Sequence, residues 1–207
     1  MIAPDHLIRD EATLEALYGE ASAGAIAKEI DYIHPHYRAM IEASPFMVLC
    51  TSGPGGLDSS PRGDSAGFVQ VLDDRTLLVP DRRGNNRADS LRNIVRDPRV
   101  GMLFLIPGWR NALRVNGRAR LENGAARTAA FTVDGNAPRC VIVITIVAVF
   151  FQCGRAIERA GLWNPAAFAA PNTLPTPGDI LSQLSDGALG GKDYDQSWDE
   201  RAKKTMW

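Results

Sequence analysis

The stretch GFVQVLDDRTLLVPDRRGNNRADSLRNIVRD, residues 67–97, contains the pattern that decides the fold. Short runs of apolar and β-branched residues at 67–72 and 76–79 flank the turn residues Asp73–Arg75, a pattern that predicts two antiparallel strands. A polar loop follows the second strand, and a helix is predicted at 89–96 because an Asp-Pro dipeptide ends the helical pattern. Two neighbouring strands, a polar loop and a short helix indicate an antiparallel sheet with helices at its periphery.

Short β-rich runs divided by turn residues continue on both sides of this stretch. Strands are predicted at 46–51, 100–106, 113–121 and 141–147, with a turn at 52–56 and a short helix at 124–131. Helical spacing of apolar residues predicts two or three short helices within residues 10–43. Many neighbouring strands and few long helices favour a mainly β (α+β) fold, an antiparallel barrel with peripheral helices, over a parallel α/β sheet.

The chain is expected to form one barrel with two appendages. Residues 1–44 are predicted to be an N-terminal helical extension and residues 45–163 the barrel. Residues 164–207 are predicted to be an irregular or helical C-terminal extension packed on the barrel. The charged segment from Gly187 onward is expected to be mobile, and Trp207 is a candidate for docking.

Composition argues against several classes of partner. The net charge is −1 and the sequence pI is about 6.3, so the chain as a whole lacks the positive field that attracts nucleic acid or anionic membranes. The apolar run 141–151 is too short to span a bilayer, and the first residues do not resemble a signal peptide, which favours the cytoplasm. Three cysteines without C-x-x-C spacing indicate free thiols, and no metal site is expected.

Two polar segments concentrate groups that bind phosphate. In the loop Asp81–Arg87, guanidinium and amide groups lie next to Gly84, just before the start of a helix with free backbone N–H groups. The segment Ser59–Asp64 adds Arg62, which a β-meander would bring towards the same anion. The alternative interpretation is a pair of solvated polar turns in which Arg62 pairs with Asp64.

Other short motifs in the sequence do not indicate a hydrolase, a metal site or a nucleotide-binding domain. Residues 63–67 match the G-x-S-x-G pattern of hydrolases, but a strand follows them and every histidine lies upstream, so a hydrolase is not favoured. His34-Pro35-His36 predicts a helix start rather than a metal site, because no cysteine or carboxylate cluster accompanies it. The G-x-G-x-x-G and G-x-x-x-x-G-K-[ST] patterns of nucleotide-binding domains were not found.

The motifs along residues 45–163 resemble, in order and spacing, the pyridoxamine 5'-phosphate oxidase-like FMN-binding split-barrel family, in particular its uncharacterised members. The motifs that carry the resemblance are Ser60–Asp64, Leu72–Leu77, Asp81–Arg87, Asp89–Asn93, Asp97–Gly101, Leu113–Ala119, Ala137–Arg139 and Gly161–Trp163. The resemblance implies a split β-barrel and a homodimer with flavin mononucleotide (FMN) at the subunit interface.

The resemblance also implies the residues of the cofactor site. The FMN phosphate would be held by Arg62, Arg82, Asn86 and Arg87. The neighbours of the same cofactor would be Ser60, Pro61, Pro80, Asp81 and Asn85. From the other subunit, residues 151–153, including Cys153, would approach it.

Three residues depart from the family pattern: Ala112 stands where a polar residue often lies near the flavin ring, and Ala148 and Gln152 replace an acidic residue and a histidine. Residues that recognise pyridoxal phosphate are also missing, so oxidation of vitamin B6 is not expected.

The predicted function is an FMN-dependent oxidoreductase that uses a small-molecule electron donor and acceptor. The flavin would carry the redox chemistry while the protein supplies binding and orientation, so no side chain is assigned as a catalytic acid or base. The alternative is a protein that binds or senses FMN, haem or a deazaflavin without catalysis.

Overall fold

The computed structural model describes residues 6–170 and 173–207. Its centre is an antiparallel sheet, whose strands are β1 (Phe46–Gly53), β2 (Gly56–Gly63), β3 (Gln70–Asp73), β4 (Thr76–Pro80), β5 (Arg99–Leu105), β6 (Ala112–Glu122) and β7 (Val141–Gln152). The strands are hydrogen-bonded in the order β2-β1-β5-β6-β7-β4-β3. This α+β arrangement, an antiparallel sheet with peripheral helices, confirms the predicted fold class.

Helices precede, interrupt and follow the strands. They are α1 (Glu11–Tyr18), α2 (Ala23–Ala27), α3 (Pro35–Ala43), α4 (Asp89–Arg96), α5 (Ala125–Ala129), α6 (Arg155–Ala160), α7 (Pro177–Leu184), α8 (Lys192–Gln196) and α9 (Trp198–Thr205). Helix α4 has the bounds that its sequence predicted, because Pro98 prevents the α conformation at Asp97. None of the helices in the described ranges is long and apolar enough to cross a membrane.

The sheet curls into a barrel that stays split. Strands β2 and β4 are five places apart in the sheet order, which in a flat sheet would separate them by about 24 Å. Nevertheless, an Arg62 nitrogen on β2 lies 2.8 Å from a carboxylate oxygen of Asp81, directly after β4. The sheet must therefore curl until β2 approaches the end of β4. Within the described residues, side chains rather than backbone hydrogen bonds join these two strands, so the barrel remains split.

The barrel interior is filled by alternate residues of the strands. Met47 and Leu49 on β1, Phe104 on β5 and Val115 on β6 are all fully buried in one cluster. The alternation follows the two-residue period of a strand, in which successive side chains point to opposite faces. Burying these side chains stabilises the fold by about 1.5–3 kcal/mol each.

The segment before β1 also contributes to the core. Ile41 of α3 is fully buried in the same cluster, and a backbone bridge joins Ile30 to Val149 on β7. Residues predicted as an appendage therefore close one end of the barrel. The division at residues 44 and 163 stays a prediction.

Strand β6 contains a glycine that its surroundings require. A β-bulge between β6 and β7 shifts the register at Asn116/Gly117. A Cβ on Gly117 would lie 2.6 Å from the carbonyl oxygen of Thr145, closer than real side chains approach. Only glycine fits this close approach of two strands without displacing one of them.

Two strand predictions were wrong in part. Residues 56–63 were expected to be a turn and a polar segment, but they form β2, an edge strand whose side chains face solvent and the split. Edge strands tolerate polar residues and Pro61 because one of their sides has no ladder to complete. The strand expected at 67–72 begins only at Gln70, and β7 continues to Gln152 rather than ending at Val147.

The last part of the chain is helical. The carboxylate of Asp195 on α8 accepts hydrogen bonds from the Thr176 hydroxyl (2.6 Å) and the Gly178 backbone N–H (2.9 Å), which ties α8 to the start of α7. Helix α9 follows and leads to Trp207, whose ring centroid lies 5.8 Å from the guanidinium of Arg82. Trp207 therefore docks beside Arg82, and the expected mobility of the segment from Gly187 onward stays a prediction.

Candidate functional site

A cavity of about 720 Å³ lies at the split, between β2, the end of β4, the loop after it and the start of α4. Nine of the ten predicted cofactor residues line it, namely Ser60, Pro61, Arg62, Pro80, Asp81, Arg82, Asn85, Asn86 and Arg87. The tenth, Cys153, is exposed beyond the end of β7 and does not line this cavity. Its predicted role concerns the partner's cofactor, which a single chain does not test.

Two ion pairs cross the split at the cavity wall. Arg62 donates to Asp81 (2.8 Å), and Arg82 donates through Nε to Asp64 (2.6 Å) and through Nη1 to the carbonyl of Phe131 (2.6 Å). The alternative pairing of Arg62 with Asp64 is wrong, because the curl of the sheet brings each arginine to an aspartate from the other side of the split. The pairs hold both guanidinium groups in fixed positions beside the cavity.

Arg62 retains unused hydrogen-bonding capacity. Its side chain is 18% exposed, and its Nε is buried without a hydrogen-bond partner among the described residues. A buried guanidinium N–H without an acceptor costs about 1–3 kcal/mol, more when the group is charged. Arg62 itself lines the cavity, so this unsatisfied donor belongs to a side chain in the cavity wall.

The loop after β4 prepares the start of α4 for an anion. Asn86 and Ala88 have left-handed backbone conformations (φ 60° and 55°), and no side chain caps the helix at Ala88. The first backbone N–H groups of an α-helix have no partner within the helix, and its dipole favours negative charge there. The adjacent Arg87 is 75% exposed and pairs with Asp89 (2.7 Å), so it can turn towards a ligand.

The cavity is more positive than the chain. Its described lining holds five arginines and three aspartates, a formal excess of two positive charges in a protein whose net charge is −1. The arginines are Arg62, Arg82, Arg83, Arg87 and Arg139, and the aspartates are Asp58, Asp81 and Asp89. The local field therefore attracts an anion although the whole chain does not.

A thiol in the cavity wall is held in its protonated form. Burial and, to a smaller extent, the Asp81 carboxylate raise the pKa of Cys140 to about 11, while Arg62 opposes the rise. Because only a thiolate is nucleophilic, Cys140 is inert at neutral pH.

Several lining residues were not predicted. Arg139 and Cys140 directly precede β7, and Arg139 belongs to a motif that carried the family resemblance, so the sequence contained a signal for it. Asn136 lies just upstream and Phe68 just before β3. Trp207 reaches the cavity only through the packing of the last helices, for which no local pattern gives a signal.

The three departures from the family pattern lie on β6 and β7, away from the cavity of the same chain. Ala112 pairs with Gln152, and Asn116 pairs with Ala148, in the antiparallel register of these strands. None of the three lines the cavity. In this chain the positions carry no ionisable side chain.

Several solved structures are similar to part of this chain. Solved structures that match include HupZ from Group A Streptococcus (16% identity, 58% of this chain, 94% of that chain, TM-score 0.48). A candidate pyridoxamine 5'-phosphate oxidase from Lactobacillus delbrueckii also matches (19% identity, 58% and 95%, TM-score 0.47), as does general stress protein 26 from Bacillus anthracis (18% identity, 55% and 88%, TM-score 0.43).

The curated proteins contain no match to this sequence. The family model described as pyridoxamine 5'-phosphate oxidase matches residues 33–153, which is more than half of the chain and includes the whole β-sheet. The chain therefore belongs to the pyridoxamine 5'-phosphate oxidase family of flavin-binding split barrels, as its motifs predicted.

Proposed function

We propose that the cavity at the split binds FMN and that the protein is a flavin oxidoreductase with a small-molecule substrate. The observation that carries the proposal is the buried, unpartnered Nε of Arg62 in an arginine-rich cavity. The cavity volume of about 720 Å³ falls within the range of about 300–1,000 Å³ that is common for ligand sites.

The residues present fit a phosphate dianion with an attached ring. Arg62, Arg82, Asn86 and Arg87, together with the uncapped start of α4, would hold the phosphate. The remaining contacts would come from Ser60, Pro61, Pro80, Asp81 and Asn85, and from Cys153 of the partner subunit. Trp207 and Phe68 add the aromatic surface that a flat ring system requires.

The chain's own residues would bind and orient rather than react. A bound flavin supplies the hydride transfer, which needs no acid or base from the protein. Cys140 keeps its proton because its pKa is about 11, so a covalent thiol adduct is not expected at neutral pH. Asp81 and Asp64 hold the two arginines in place, so the phosphate would meet donors that are already oriented.

The assembly and location follow from the same proposal. We expect a homodimer in which each FMN lies at the interface, because the segment that ends at Cys153 is exposed and lies outside its own chain's cavity. The free thiols of Cys50, Cys140 and Cys153 suit the reducing cytoplasm. The substrate, as electron donor or acceptor, would be a small molecule.

A second function, flavin binding or sensing without catalysis, has one observation in its favour. Ala112, Ala148 and Gln152 leave β6 and β7 without ionisable groups at the positions where the family often has polar ones. Haem is less well supported, since its iron needs an axial ligand and the described lining offers no histidine. A deazaflavin has a flat tricyclic ring of nearly the same shape as that of FMN and fits the same aromatic surface.

Titration of the purified protein with FMN tests the proposal. The expected result is a yellow protein with about one FMN per chain, whose colour bleaches rapidly with NADH or NADPH without oxygen and returns in air. Stable FMN binding without bleaching by either nucleotide supports the sensing function instead. A colourless protein that does not bind FMN refutes both the oxidoreductase and the flavin-sensing function. Tight binding of haem or a deazaflavin, without binding of FMN, would show that the cofactor is not FMN.

A further inference from the structure

A second cavity, of about 540 Å³, lies where the α2–α3 segment meets the β5–β6 connection and the end of β7. It shares no lining residue with the first cavity. Its volume is also within the range of small-molecule sites. One of its lining residues, Phe151, belongs to the segment proposed to approach the partner's cofactor, and the other lining residues have no role in the proposed FMN site.

Its walls are exposed aromatic rings. Tyr32, Trp109 and Phe151 are 38%, 55% and 39% exposed, although aromatic side chains of this size are usually buried. Trp109 is held in place because its carbonyl accepts a hydrogen bond from the indole of Trp163 (2.8 Å). Several large rings converging on one concavity are typical of a binding site for a flat apolar group.

The charged and imidazole groups of this cavity favour an anion. No aspartate or glutamate belongs to its described lining, which contains Lys28, His34 and His36. The Lys28 ammonium lies 4.9 Å from the Phe151 ring centroid, and no described carboxylate is within 4 Å of it. Of the two acidic residues in the connection between α2 and α3, Glu29 is exposed and lines neither cavity, and Asp31 is paired with Arg75 (3.0 Å).

The histidine pair adds a directed donor. The Nδ1 of His34 accepts a hydrogen bond from the backbone N–H of His36 (3.2 Å). A neutral imidazole that accepts at Nδ1 carries its proton at Nε2. His34 therefore has an N–H to donate at Nε2, and Lys28 supplies the positive charge.

We propose that this second cavity binds a small planar aromatic carboxylate. The ring would stack among Tyr32, Trp109 and Phe151, while the carboxylate would be recognised by Lys28 and His34. Lys28 supplies a positive charge, His34 supplies an N–H, and no carboxylate of the described lining repels an anion. The aromatic walls select a flat ring. This inference does not depend on FMN binding at the first cavity.

The test uses two probes with the same ring and opposite charge, 2-naphthoate and 2-naphthylmethylammonium. Phe151 also lies in the segment proposed to approach the partner's cofactor, so binding is measured by calorimetry on full-length protein saturated with FMN as well as on FMN-free protein. The expected result is one 2-naphthoate per chain in both forms, with an affinity at least about tenfold higher than that of the cation.

Variants locate the site. Lys28→Met is expected to weaken 2-naphthoate about tenfold while leaving the cation no weaker, and Lys192→Met, at an exposed lysine that lines neither cavity, is the matched control. Trp109→Ala is expected to weaken both probes, with Trp198→Ala as its control. Equal affinities of the two probes, displacement of 2-naphthoate by FMN, or equal effects of the two lysine variants would each overturn the proposal.

Discussion

Replacing Arg62 by alanine should separate the two parts of FMN recognition. Arg62 would lose one or two charge-assisted hydrogen bonds to the phosphate, each contributing about 1.5–3 kcal/mol. Loss of one such bond raises the Kd of FMN about 10- to 150-fold. Riboflavin has the same ring and ribityl chain but no phosphate, so its affinity should change by less than about threefold.

The same variant also costs stability, which needs its own measurement. The Arg62–Asp81 pair is about one-fifth exposed on both sides (18% and 21%), between surface pairs and fully buried pairs. Its loss should lower the free energy of unfolding by about 1–2 kcal/mol. Denaturant unfolding of the FMN-free protein measures this free energy. It also shows whether the variant is folded at the temperature at which both ligands are titrated.

Asp81 also affects the FMN affinity of the Arg62→Ala variant. Without Arg62 its carboxylate is unpaired in the cavity and repels phosphate, which adds to the loss. The double variant Arg62→Ala/Asp81→Asn should therefore bind FMN more tightly than Arg62→Ala alone.

Both ligands are titrated by fluorescence against the wild type and the variants. The control is Arg118→Ala, at an exposed arginine on β6 outside the cavity. Equal losses of FMN and riboflavin affinity in Arg62→Ala would refute the assignment.

Three further predictions concern the packing of Gly117, the contact of Trp207 with the cavity and the thiol of Cys140. Gly117→Ala should lower the free energy of unfolding by about 1–3 kcal/mol in denaturant, whereas Gly55→Ala, which meets open space, should change it by less than about 0.5 kcal/mol. Trp207→Ala should weaken FMN about three- to tenfold and reduce the quenching of tryptophan fluorescence on FMN binding, while Trp198→Ala should do neither. Alkylation of Cys140 by iodoacetamide, followed by mass spectrometry, should keep rising with pH until about 11, and a plateau near the ordinary value of 9 would contradict its burial.

Local signals predicted the elements that local physics determines. Helix α4 was found at 89–96 because an Asp-Pro dipeptide ends it, and β4 was found within one residue because an apolar run leads into Pro80. Strand β2 was missed for the opposite reason. Its residues are polar because an edge strand beside a split is not buried on both faces. A run of polar residues with Gly and Pro predicts a turn rather than a strand.

The arginine-rich loop was recognisable, but its partners were not. The sequence indicated that Arg62 and the 81–87 loop serve one anion, and the structure brings both to one cavity. That Arg62 pairs with Asp81 rather than Asp64 depends on the curl of the whole sheet, which joins residues five strands apart. Trp207 enters the cavity through helix packing at the end of the chain, a long-range contact with no local signature.

Calorimetric titration of the wild-type protein with FMN and with riboflavin tests the central claim, recognition of the phosphate at the split, most directly. The account predicts about one FMN per chain with a Kd near or below micromolar, and riboflavin at least about tenfold weaker. The gap between the two affinities should narrow as salt is added, because the phosphate term is electrostatic. Equal affinity for the two flavins, or binding of neither, would contradict it.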